Sequence, residues 1–186
     1  KSYVVLDEAA GADTSLTTLN FSGAGSVNIG ESASNEFDAV TTIDASENSG
    51  GVSVDFSGAN TEDVTVTGGT GDDTFAFGAG LDSNDTIDGG EGTDLIVSSD
   101  ATLTAGTDAT IKGANAATNI EEFGTSAGSD ISLNSSKFTA QHVFVFTDTT
   151  LVASAGTPGN VAMTLTGIEN DHSSVLTATV TGGTSA

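Results

Sequence analysis

The chain lacks cysteine, tryptophan and arginine, and it carries one proline, one methionine and one tyrosine among 186 residues. Its only strong bases are Lys1, Lys112 and Lys137, set against 26 acidic residues, for a formal net charge of −23. Without cysteine there is no disulfide framework and no thiolate metal site. Without a basic patch nucleic acid is excluded as a partner, because phosphate binding draws on Lys and Arg to release counterions. An anionic membrane surface is disfavoured by the same sign of charge. No apolar run reaches the ~18 residues of a membrane-spanning helix, so membrane insertion is not expected. The opening Lys1-Ser2-Tyr3-Val4-Val5-Leu6 has neither Met nor a signal-peptide layout, and the expectation is a mature or excised fragment.

High charge and abundant Gly, Ser and Thr favour disorder. Against that, Leu, Ile, Val and Phe make up about 23% of the chain, above the ~20% level at which disorder becomes the default. The apolar residues are also patterned. Alternating runs recur: Val27 and Ile29; Val52, Val54 and Phe56; Val64 and Val66; Phe75 and Phe77; Ile131 and Leu133; Met163 and Leu165; Leu176, Ala178 and Val180. Period two buries one face of a strand and leaves the other polar. His142-Val143-Phe144-Val145-Phe146 is apolar on both faces and predicts a strand covered on both sides. β-Branched residues far outnumber straight-chain helix formers. Only Ala109 to Glu122 has room for a short helix. A compact chain at −23 repels itself, so folding calls for a positive partner that three lysines do not supply.

The segments resemble one another. Leu16-Thr17-Thr18-Leu19, Val40-Thr41-Thr42-Ile43 and Ile120-Glu121-Glu122-Phe123 are each followed by a Ser three residues on and then by an alternating strand. Leu19 and Ile43 are 24 residues apart, and Ile120-Glu121 recurs as Ile168-Glu169 after 48. A fixed period with short strands and no room for helices indicates stacked coils. The expected fold is all-β, a right-handed parallel β-solenoid, with a β-sandwich as the alternative. Residues 1–108 are read as solenoid coils and 109–186 as further coils, continuous with the first or not. The C-terminal Thr179-Val180-Thr181-Gly182-Gly183-Thr184 repeats Thr65-Val66-Thr67-Gly68-Gly69-Thr70, as though another copy were beginning.

Two segments carry chemistry. Gly68-Gly69-Thr70-Gly71-Asp72-Asp73-Thr74-Phe75-Ala76 and Gly89-Gly90-Glu91-Gly92-Thr93-Asp94-Leu95-Ile96-Val97 both fit the nonapeptide G-G-x-G-x-D-x-U-x, a calcium-binding β-helix repeat. Its glycines permit a tight turn with exposed carbonyls, its sixth residue supplies a carboxylate, and its eighth points into the core. Oxygen-only ligands on a flexible loop suit Ca²⁺ better than Mg²⁺. The plain alternative is a pair of hairpin turns, which would leave these aspartates facing solvent.

On these residues the chain resembles the RTX family of secreted bacterial proteins, in which two nonapeptides form one coil of a parallel β-roll and calcium sits between loops of adjacent coils. The resemblance implies a Ca²⁺ site built from Gly68, Thr70 and Asp73 with Gly90, Gly92 and Asp94. The half-coil between the motifs, Phe77 to Asp88, is three residues too long, yet it keeps Asn84-Asp85-Thr86-Ile87. It implies a second site using Asp85 with Asp63 or Asp82. Two motifs embedded in Thr/Ala/Ser-rich coils look like the RTX-type surface-layer proteins of Gram-negative bacteria. That implies a secreted structural protein at the cell surface, exported by type I secretion and self-associating into a lattice. A further implied partner is outer-membrane lipopolysaccharide, through another region. The alternatives are the calcium-binding tail of a secreted protease or lipase, and an adhesin.

No catalytic role is expected. Neither His142 nor His172 lies in a His-Glu-x-x-His pattern, Glu121-Glu122 reads as a solvated turn, and no Gly-x-Ser-x-Gly elbow is expected. An EF-hand loop starting at Asp82 would need Gly where Ile87 stands.

Overall fold

A computed structural model describes residues 16–29, 39–56, 63–100, 102–125, 131–134, 137–139, 143–146, 163–166 and 175–177. The strands are β1 (Thr18–Gly23), β2 (Val27–Ile29), β3 (Thr42–Asn48), β4 (Val52–Asp55), β5 (Thr65–Thr67), β6 (Thr74–Gly78), β7 (Thr86–Asp88), β8 (Leu95–Ser98), β9 (Thr102–Leu103), β10 (Glu122–Thr125), β11 (Ile131–Asn134), β12 (Val143–Phe146), β13 (Met163–Thr166) and β14 (Val175–Thr177), with one helix, α1 (Ala109–Ala116), between β9 and β10. They form three parallel sheets ordered β1-β3-β5-β7, β14-β12-β10-β8-β6-β4-β2 and β13-β11-β9. Successive strands belong to different sheets, and each pairs with a strand of a neighbouring coil. The fold is therefore a parallel β-solenoid, as the periodicity predicts, and not a sandwich of hairpins.

Register turns the alternating pattern into columns. Leu19 lies opposite Ile43, Ile43 opposite Val66, and Val66 opposite Ile87. On the second sheet Ile29, Val54, Phe75, Ile96, Phe123 and Phe144 succeed one another in the same way. All of these side chains are buried. A strand only three to five residues long cannot stand alone, but here the inward side chains stack on apolar side chains of the neighbouring coils. Aromatic pairs extend the columns: Phe56 stacks on Phe77 at 5.2 Å, and Phe138 contacts Phe123 at 4.8 Å and Phe144 at 5.2 Å.

One expectation needs correcting. Ile120-Glu121-Glu122-Phe123 does not occupy the place of Leu16–Leu19 and Val40–Ile43. Phe123 pairs with Ile96 in the seven-stranded sheet, whereas Leu19 and Ile43 pair in the four-stranded one. The cause is the insertion of β9 and α1, after which the four-stranded sheet continues only as an Asp88–Thr118 bridge. The likeness of these segments reflects a shared strand-entry pattern, not a shared position in the coil. Ile168-Glu169, His142 and His172 lie outside the described residues.

The helix falls within the stretch expected to hold one. Asp108 caps it, its carboxylate accepting from the N–H groups of Thr110 and Ile111. Its face of Thr110, Ile111, Gly113 and Ala114 is buried. Gly113 packs so closely on Leu81 and Asp82 that a Cβ there would stand 2.6 Å from the Asp82 carbonyl oxygen. The over-long half-coil thus has a use: its extra residues form a turn, closed by Gly80 N–H to the Phe77 carbonyl and Asp85 N–H to that of Asp82, that buries Leu81 beneath the helix. Sheet pairing runs on across residue 108, since β8 pairs with β10 and β9 with β11. No described helix is long and apolar enough to cross a membrane.

Phe75→Ala removes a fully buried ring from the middle of its column. It is expected to cost about 3–5 kcal/mol in urea denaturation, whereas Thr65→Ala on the exposed face is expected to stay within about 0.5 kcal/mol.

Candidate cation site in the stacked turns

One turn position repeats up the seven-stranded sheet. Val52 precedes Ser53, Asp73 precedes Thr74, Asp94 precedes Leu95 and Glu121 precedes Glu122, and these four strand residues are register partners in sequence. The lower rung is apolar and the upper rungs are acidic. Each acid accepts the backbone N–H of the rung below. Asp73 Oδ1 accepts from Val52 N–H at 2.6 Å, Asp94 Oδ1 from Asp73 N–H at 2.7 Å, and Glu121 Oε2 from Asp94 N–H at 3.0 Å. The carboxylates form a ladder that joins coil to coil at steps of 21, 21 and 27 residues.

The nonapeptide aspartates are buried, Asp73 at 1% and Asp94 at 0% exposure. The turns join parallel strands of different sheets. Both facts overturn the hairpin alternative, which would leave the carboxylates in solvent. The glycines are required by contact between rungs. A Cβ on Gly89 would stand 2.0 Å from the Asn119 carbonyl oxygen and 2.5 Å from Asp94 Oδ2, and Gly90, at φ +93°, lies against the Gly69 carbonyl.

The two aspartates differ in one bond. Asp73 Oδ2 accepts from the Gly69 N–H within its own turn at 2.8 Å. The corresponding donor in the next turn, Gly90 N–H, is turned to Asp88 Oδ1 at 3.2 Å, and Asp88 Oδ1 in turn takes the side-chain amide of Asn119 at 2.7 Å. Asp94 Oδ2 is left buried with no hydrogen-bond partner. An ionised buried oxygen without a donor is costly. Burial, then the nearby charges of Asp73, Glu121 and Asp72, push the Asp94 carboxyl up to about 7 against the pull of the Asp73 N–H. Asp73 is raised as well, by burial, with its two N–H partners opposing.

Of the remaining candidates, Thr70 is exposed, its N–H donating to the Asn48 carbonyl, and Gly92 is exposed with φ +133°. Gly68 is buried, and a Cβ there would press on the Gly89 carbonyl oxygen and on Asp73 Oδ2. Asp85 closes the four-stranded sheet by the same device: Oδ1 accepts from Val64 N–H at 3.0 Å and Oδ2 from Asp82 N–H at 2.9 Å. Both its oxygens are thus in use. Burial raises its carboxyl, with Asp82 and Asp63 adding repulsion. Asp82 itself accepts from Asn84 N–H at 2.7 Å. Among the described residues no three acidic or imidazole side chains converge as a metal-binding group, so a cation here would draw several of its ligands from carbonyls. The donor set of one orphaned carboxylate oxygen amid closely packed carbonyls suits a hard cation.

Sequence reasoning missed Glu121 and Asn119. Glu121 is exposed, as expected, yet its carboxylate caps the Asp94 rung. One motif also needs correction. Gly124-Thr125-Ser126-Ala127-Gly128 does fit Gly-x-Ser-x-Gly. It leads from β10 to β11, strand to strand, whereas a nucleophile elbow requires a turn into a helix. Ser126 itself lies outside the described residues. Comparison with protein-family models, with curated proteins and with solved structures finds no match to this chain.

Two outcomes follow for the metal-free protein. A carboxyl whose folded pKa lies above its unfolded value holds its proton more tightly in the fold, so its contribution is full below about pH 4 and is lost as pH rises through about 7. Thermal melts in EDTA are expected to show Tm falling between pH 5 and pH 7.5, with a shallower fall in Asp94→Asn; a Tm that rises over this range contradicts the assignment. Asp73→Ala strands the Val52 and Gly69 N–H groups and is expected to cost about 1–3 kcal/mol for each in urea denaturation.

Proposed function

We propose that this chain is a structural segment of a secreted, calcium-stabilised bacterial surface-layer protein. The observation that carries the reading is Asp94, a fully buried carboxylate with one oxygen left without a donor, set in a stack of Gly/Asp turns. Two turns of this stack have the calcium nonapeptide sequence. Around the stack the chain carries a net charge of −23. Asp94 and the carbonyls of the turns packed on it are the residues that would hold Ca²⁺. The ion supplies positive charge where burial alone would force a carboxyl to keep its proton, and it ties one coil to the next. Because the turns come together only when the coils stack, binding energy becomes folding energy.

The chain's own residues do the rest. Val52 and Asp73 donate backbone N–H groups that hold the Asp73 and Asp94 carboxylates inward, and the Asp94 N–H holds Glu121 over its rung. Gly68, Gly89 and Gly90 let the rungs close to contact. The hydrophobic columns set the spacing at which this happens. In a compartment poor in Ca²⁺ such a chain stays loose and suits export before folding; outside the cell Ca²⁺ closes it. Between molecules, divalent ions would bridge acidic faces that otherwise repel, which is the basis for lattice formation by self-association. No catalytic role is proposed.

Circular dichroism melts test the reading. Millimolar Ca²⁺ is expected to raise Tm and β content, EDTA to reverse both, and equal Mg²⁺ to do so poorly. A Tm that is the same in Ca²⁺ and EDTA removes calcium from the account. Ordered sheets of the full-length protein in electron micrographs with Ca²⁺, absent in EDTA, are the expected sign of the lattice role.

A further inference from the structure

The nonapeptide pattern pairs Asp73 with Asp94 around one ion. The hydrogen bonds divide the two. Asp73 spends both carboxylate oxygens on N–H groups, Val52 below and Gly69 within its turn. Asp94 spends only Oδ1, on the Asp73 N–H. The oxygen left over, Oδ2, lies beside the Asn119 carbonyl oxygen: both would crowd the same Cβ on Gly89, at 2.5 and 2.0 Å. Two acceptor oxygens therefore face one region with no donor from Asp94's own turn between them. The Glu121 carboxylate is held over the Asp94 turn by its bond to the Asp94 N–H, near enough for its charge to act on the Asp94 carboxyl.

The arrangement has a cause in the upper turn. Asn119 sits at φ +52° and extends its amide to Asp88 Oδ1. That fixes Asp88, and Asp88 takes the Gly90 N–H that would otherwise serve Asp94 Oδ2 as Gly69 serves Asp73. The Thr118–Glu121 turn belongs to neither nonapeptide. It nonetheless removes the donor, brings a carbonyl and adds a carboxylate.

Building on the calcium reading above, we propose that the divalent cation binds on the far side of the Asp94 turn, between it and the Asn119–Glu121 turn, with Asp94 Oδ2, the Asn119 carbonyl and the Glu121 carboxylate as ligands. Asp73 is then a positioning residue that holds the turn below and touches no ion. Glu121 and Asn119 are exposed, so water completes the coordination. The ion joins the regular nonapeptide coils to the coil that follows α1, where the step lengthens from 21 to 27 residues.

Isothermal titration of the chain with Ca²⁺, using variants whose circular dichroism in EDTA matches the wild type, tests the placement. Asp94→Asn and Glu121→Gln are each expected to weaken binding at least tenfold, and Asp73→Asn to change it less than threefold. Mn²⁺ broadening of backbone amide signals, which needs no variant, is expected to be strongest at residues 94 and 119–121 and weaker at 68–72. Loss of binding in Asp73→Asn with Glu121→Gln unaffected, or broadening centred on 68–73, places the ion between the nonapeptides and overturns this inference while leaving the calcium reading intact. Absence of Ca²⁺ binding by the wild-type chain overturns both.

Discussion

The stacking of the turns depends on one repeated bond: a carboxylate at the entry to a strand, buried at Asp73, Asp94 and Asp85, accepting the backbone N–H of the coil beneath it. At Val52, Asp73, Asp94 and Val64 the backbone N–H at or just before the strand entry faces a carboxylate of the rung above. Left alone such a donor carries the penalty of any buried, unpaired backbone group. Asp73, Asp94, Glu121 and, on the other sheet, Asp85 supply the acceptor. The price is negative charge stacked upon negative charge inside the fold.

That tension explains why the same columns hold both the stability and the chemistry of the chain. The hydrophobic columns from Leu19 to Ile87 and from Ile29 to Phe144 hold the rungs at hydrogen-bonding distance. They thereby fix the acids one above another and keep them from separating. Where every oxygen finds a donor, as at Asp73 and Asp85, the arrangement is self-sufficient. Where one does not, as at Asp94, the site favours either a proton or a cation. A chain with few lysines has no internal counter-charge to place there.

Helix α1 and the over-long turn beneath it belong to the same account. The turn at 79–85 buries Leu81 and presents a surface on which Gly113 can settle. The added helix displaces the four-stranded sheet after β7, so that only the Asp88–Thr118 bridge carries it forward. The bridge brings Asn119 over Asp88, and with it the rearranged bond at Gly90. The coil that carries the helix thus also sets the hydrogen bonding of the turn beneath it.

The β-class, the stacking of coils and the placing of Asp73 and Asp94 in glycine-rich turns were legible in the residues. Alternation of Val54 or Phe75 with polar neighbours is a local pattern, and the nonapeptide spacing is local as well. The third repeat was misplaced because Ile120–Phe123 has the local look of Leu16–Leu19, while its sheet is decided by how many residues the preceding coil consumed. Glu121 looked like a solvated acid for the same reason. Its place above Asp94 follows from register across 27 residues that include a helix, and no window of sequence carries that number. What the amino-acid order determined by itself was which residues turn inward and where the chain bends, because both follow from neighbours one to nine positions apart. Which oxygen is left without a donor was decided only by the stacked coils, because a hydrogen bond between rungs joins residues that become neighbours through folding alone.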